Sequence, residues 1–138
     1  MPDMRLIIDG AEMARILRSP AGPVARHLIE RATVVQAAAK AQAPRRTGCL
    51  QDSIVKRVEH YGDEIAVRVV SDTTPCSPTR TSYSLMVHEG TRPHEIRARD
   101  GGVLAFQIGG ETVFATSVQH PGTRPNRFLT DNLHLAVL

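Results

Sequence analysis

His88, Glu89, His94 and His120 carry the side-chain atoms that a zinc ion accepts as ligands. Their spacing is wrong for the helical His-Glu-x-x-His arrangement, in which two histidines one turn apart share a face and the glutamate serves as base. The expectation is therefore no metal site, with His88 and His120 hydrogen-bonding around their own turns, and a metal-dependent hydrolase is the weakest of the alternatives. Ser53 lies in Asp52-Ser53-Ile54 without a Gly-x-Ser-x-Gly elbow, and no neighbour marks Cys49 as an activated thiol. Gly101-Gly102 and Gly109-Gly110 fall among strand residues rather than ahead of a helix, which makes them hairpin glycines and not a phosphate cradle. These residues imply neither an enzyme nor a cofactor.

A different pattern stands out. His-x-Gly-Thr-Arg-Pro occurs twice, as His88 to Pro93 and as His120-Pro121-Gly122-Thr123-Arg124-Pro125. Glycine tolerates a backbone dihedral that a β-carbon resists, threonine bonds nearby amides through its hydroxyl, and proline fixes the next φ and ends a ladder. Each copy reads as a turn at the end of an element. The flanks of the two copies differ, and a solenoid needs about three units or more, so no repeat architecture follows.

The elements that hold these turns can be read in order. The chain has 138 residues, 41% of them hydrophobic, which suits one domain over 1–138 with its own core. Met4 to Asp9 reads as a short strand and Ala11 to Leu17 as a small helix, both within an N-terminal segment 1–23 that Ser19-Pro20-Ala21-Gly22-Pro23 breaks. Val24, Leu28, Ala32, Val35 and Ala39 then recur at helical spacing and predict the main helix over 24–43. Strands are expected within 50–118. Ser53 to Tyr61 and Glu64 to Ser71 form a half-buried hairpin, and 71–82 is a long, exposed and mobile polar loop. Tyr83 to His88 predicts one or two helical turns. Glu95 to Arg99, Val103 to Ile108 and Thr112 to Val118 predict an antiparallel meander. Pro125 sits where a helix over 125–137 would begin, with Phe128, Leu129, Leu133 and Ala136 as its apolar side. The fold class is α+β, an antiparallel sheet of hairpins and meander packed on one long helix, closed by a short C-terminal helix.

Composition narrows the function. A net charge of +3 comes from basic residues interspersed with acidic ones, so a nucleic-acid-binding or protein-interaction module is permitted without being indicated. Aromatic residues make up 4% with no Trp, which argues against base-stacking platforms. Cys49 and Cys76 fit neither a CxxC metal pattern nor a dense disulfide framework, and two free thiols in a reducing cytoplasm is the simplest reading. No apolar run approaches a membrane span, and Met1 to Asp9 lacks the features of a signal peptide.

Three stretches in order complete the reading: Pro-x-x-Thr-Gly-x-Leu-x-x-Ser-Ile from Pro44 to Ile54, Val-x-x-Gly-Thr from Val87 to Thr91, and His-Pro-Gly-Thr with Pro-x-x-Phe-Leu from His120 to Leu129. Over roughly residues 24 to 133 the chain resembles the neck and tail-completion proteins of long-tailed bacteriophages, the head-to-tail joining family of lambdoid phages and prophages. The resemblance implies a structural virion protein, assembled in the bacterial cytoplasm as a homo-oligomeric ring. Its partners would be copies of itself, the head connector and tail proteins, with DNA passing through the lumen without specific binding and no membrane involved. Thr47, Gly48, Leu50, Ser53 and Ile54 would set the passage from helix into sheet, and Gly90, Thr91, Gly122 and Thr123, with His120, Pro121, Phe128 and Leu129, would shape the paired turns and the last helix. Arg80 in the polar loop, with Arg92 and His94, are the first candidates for exposed contact surface. The apolar stretch from Leu133 to Leu138 is expected to pack in the fold or against a neighbouring subunit, unless the chain is clipped.

Overall fold

A computed structural model describes residues 7–76 and 81–137. It is an α+β protein, as the sequence predicts, and it falls into two compact units. One runs through Ser84 and resumes at Arg127; the other is Leu85–Asn126.

The first unit is built on its long helix. Asp9 caps helix α1 (Gly10–Arg18) by accepting hydrogen bonds from the amides of Ala11 (2.9 Å) and Glu12 (3.3 Å). That capping role takes Asp9 out of the expected Met4–Asp9 strand; Ile7 and Ile8 are not in a strand either, and Met4 to Leu6 lie outside the described residues. Helix α2 (Pro23–Gln42) opens with Pro at its first position, where the missing amide costs nothing, and stops at Ala43, whose successor Pro44 disfavours helical backbone before it. Its buried residues are Ala25, Ala32, Val35 and Ala39, and the helix packs on strands β1 (Ile54–Tyr61) and β2 (Glu64–Ser71) and on the C-terminal 3-10 helix. These strands pair antiparallel from Ile54 opposite Ser71 to Tyr61 opposite Glu64 across a two-residue Gly62-Asp63 turn. Leu50, Ile54 and Phe128 complete the core. Complete burial of Phe128 contributes on the order of 1.5–3 kcal/mol.

Between α2 and β1 the chain makes one helical turn, α3 (Cys49–Ser53), where the sequence suggested that the strand had already begun at Ser53. Gln51 ties this turn back to the end of α2, its side-chain amide donating to the carbonyls of Lys40 (3.0 Å) and Ala43 (3.3 Å). The cysteines are not free thiols. Cys49 and Cys76 form a disulfide that joins α3 to a 3-10 turn at Thr74–Cys76, with their Cα atoms 6.2 Å apart.

That turn also corrects the picture of a wholly exposed polar loop after β2. Thr73 is fully buried, and a chain of hydroxyls runs from it through Ser82 to Ser84, which donates to the Ser71 carbonyl. Helix α4 (Ser84–Glu89) supplies the short helix expected from Tyr83 to His88. At the other end of the unit, the C-terminal helix is of the 3-10 type and spans Thr130–Ala136, starting five residues after Pro125 rather than at it. Asn132 and Asp131 bind the side chain of Gln42 at the end of α2 and so hold this last helix in place.

The second unit consists of α4 beyond Ser84 and four strands, β3 (His94–Arg97), β4 (Leu104–Ile108), β5 (Glu111–Ala115) and β6 (Ser117–His120). The strands do not form a meander. β3 pairs with β6, and the β4–β5 hairpin is nested between them in sequence as a separate two-stranded sheet. The third strand of the expected meander is split at Thr116, whose carbonyl accepts from the amide of Ala98 (2.9 Å).

Candidate functional site

The two Gly-Thr-Arg-Pro copies meet in the second unit and pair with each other. Thr91 and Thr123 exchange backbone hydrogen bonds, each amide donating to the other's carbonyl at 3.1 Å. Their hydroxyls lie 3.0 Å apart, and the Thr123 amide also donates to the Thr91 hydroxyl. The pairing is locally two-fold. Gly90, at φ 73°, faces the Thr123 carbonyl and Pro125, while Gly122, at φ 83°, faces the Thr91 carbonyl and Pro93.

This geometry explains the glycines and prolines together. A Cβ at Gly90 would stand 2.5 Å from the Thr123 carbonyl oxygen, and one at Gly122 would collide with the Thr91 carbonyl. Both positions also have a backbone conformation that L side chains resist. Each proline follows the threonine by two residues and lacks the amide that a longer ladder would use. The pairing is prolonged on one side by the Asn126 amide, which donates to the Val87 carbonyl at 3.0 Å, and on the other by the β3–β6 ladder. The duplicated motif is thus a clasp, and all that lies between its two halves leaves and returns through it.

The histidines sit beside the clasp. His94 and His120 are register partners at the start of β3 and the end of β6, with ring centroids 5.0 Å apart and tilted by 32°. His94 donates from Nδ1 to the Arg92 carbonyl at 2.8 Å. His120 does the reverse, its Nδ1 accepting the Gly122 amide at 3.0 Å. His88 is buried and places Nδ1 2.7 Å from the Glu89 carboxylate. Among the described residues, no three of His, Cys, Asp and Glu gather in a metal-ligating group.

The remaining motif residues divide between two places. Thr47, Gly48, Leu50, Ser53 and Ile54 all lie at the passage from α2 into β1. There the Thr47 hydroxyl accepts from the Cys49 amide, Leu50 and Ile54 are buried, and Ser53 donates to the Leu50 carbonyl and bonds the Ser71 hydroxyl. Pro121, Gly122 and Thr123 are in the clasp; Phe128 is in the core of the first unit, and Leu129 lines a groove on that unit. Arg92 and His94 are exposed, whereas Arg80 lies outside the described residues.

Two features escaped the sequence reading. One is the disulfide and the buried hydroxyl chain that hold the ends of the polar loop. The other is the groove, of about 320 Å³, between α2, β2 and the C-terminal 3-10 helix. Leu28, Ala32 and Val35 were legible as an apolar helical stripe, but no residue pattern shows that the last helix leaves part of that stripe open.

The fold and the clasp define the chain as an α+β protein organised around a duplicated turn that pairs with itself. Comparison with protein-family models, curated proteins and solved structures finds no match. No described helix is long and apolar enough to cross a membrane.

Proposed function

We propose that this chain is a structural protein of the head-to-tail neck of a long-tailed bacteriophage, acting in tail completion or head-tail joining as one subunit of a ring through which DNA passes. The observation that carries the reading is the ordered set of three stretches, Pro44 to Ile54, Val87 to Thr91 and His120 to Leu129, each spent on shaping the backbone. The first turns the main helix into the sheet, the second and the start of the third build the clasp, and Phe128 at the end of the third fills the core of the first unit, so the residues that carry the resemblance specify geometry rather than chemistry. A protein that works by holding a fixed shape in an assembly needs such residues and no reactive centre. Contacts between two different patches of identical chains close into rings when the rotation allows it.

The test is native mass of the full chain over a concentration series. A closed multiple of the 15.1 kDa chain is the expected result. A strict monomer at every concentration would overturn the reading, and duplex DNA binding with steep salt dependence would then favour a basic nucleic-acid-binding module, because phosphate contacts are replaced by ions as salt rises.

A further inference from the structure

The groove on the first unit has a particular chemistry. Its walls include Leu28, Val35, Val67, Leu129 and Leu133, and Arg31 stands among them. Arg31 is half-buried and forms no ion pair among the described residues. A guanidinium set into an apolar wall favours a carboxylate brought in beside an apolar side chain.

The second unit carries that combination. None of the chain's buried apolar residues lies between Leu85 and Asn126 among the described residues. The β4–β5 hairpin is a two-stranded sheet, an arrangement that is marginal in water without a further layer. At its tip, next to the Gly109-Gly110 turn, Ile108 is 61% exposed and is the register partner of Glu111. Glu111 is the one charged residue from Val103 to Ser117. The tip therefore presents an apolar side chain next to a carboxylate, and the groove presents an apolar hollow next to a guanidinium.

We infer that the β4–β5 hairpin tip of one copy seats in the groove of a second copy, with Ile108 in the apolar hollow and Glu111 on Arg31. The inference rests on the ring reading and names the contact that builds the ring. Hairpin and groove are different patches of one chain, so the contact runs head to tail, the kind that closes by rotation.

Charge reversal on the full chain tests it, read as the assembly constant from native mass over a concentration series. Arg31→Glu and Glu111→Arg each weaken assembly by about tenfold or more, and the double reversal recovers it to within about threefold. Ile108→Asp, at an exposed position outside any core, also weakens assembly. If the wild-type chain assembles and Ile108→Asp or both single reversals assemble equally well, the contact is wrong while the ring reading stands. Weakening in both singles without recovery in the double overturns the Arg31–Glu111 pairing. A wild-type chain that stays monomeric at every concentration overturns ring and contact together.

Discussion

Gly90 and Gly122 decide whether the clasp can close. Gly122→Ala places a Cβ against the Thr91 carbonyl at a positive φ, and such a substitution costs about 2 kcal/mol or more through strain and displaced backbone. The expected outcome is a lower denaturant midpoint for the second unit, with faster hydrogen exchange at the amides of Thr91 and Thr123. Asp72 gives a prediction of the opposite character, because it is exposed and acts through charge. Hydrogen bonds from the Thr74 hydroxyl and then the Thr74 amide hold its carboxyl below the usual carboxylate range. A folded-state value below the unfolded one stabilises the fold above the unfolded value, and this contribution fades as pH falls through the lowered one. Asp72→Asn should flatten that acid limb in urea titrations run from neutral to acid pH, and an unchanged slope would remove the role. At this scale the motif was readable, since Gly, Thr and Pro impose their constraints locally. The partner of Cys49 was not, because only the folded chain brings Cys76 beside it.

Among the elements, α2 was readable to within a residue at each end because Val24 to Ala39 repeats at helical spacing and prolines bracket it. Strand pairing was less so. Asp100-Gly101-Gly102 and Gly109-Gly110 look alike as turn signals, yet only the second joins two paired strands, and nothing local marks β6 as the partner of β3. Pro125 misled for a related reason: it has the residue type that opens a helix, but the amide of Asn126 is engaged by the Val87 carbonyl, and the helix starts only at Thr130. The disulfide acts at this scale, pinning the 3-10 turn at Thr74–Cys76 to α3 and closing a loop with a sequence separation of 27. Replacing both cysteines by serine is expected to destabilise the first unit by about 2–4 kcal/mol. Urea unfolding of the double variant, and of the wild type with and without reductant, measures this. Equal midpoints with and without reductant would mean that the bridge contributes nothing.

For the whole molecule, the groove and the hairpin went unread in the sequence because an opening and an uncovered layer are properties of packing, and no residue type announces them. The apolar core belongs to the first unit, whereas the second is held by ladders and the clasp. If the hairpin is covered by a second copy as inferred above, the apparent stability of the second unit depends on concentration. Midpoints for the second unit that rise with protein concentration, in step with native mass, are the expected result; concentration-independent midpoints in an assembling protein would place the interface elsewhere.

The clasp has a consequence for how such a chain can change over generations. Because Thr91 and Thr123 bring the chain out and back at one place, everything from His94 to His120 hangs from a single pinched base. Lengthening or shortening a loop beyond that point adds little closure entropy. The excursion from His94 to His120 can therefore take insertions, deletions or replacement while the paired threonines at its base keep their geometry.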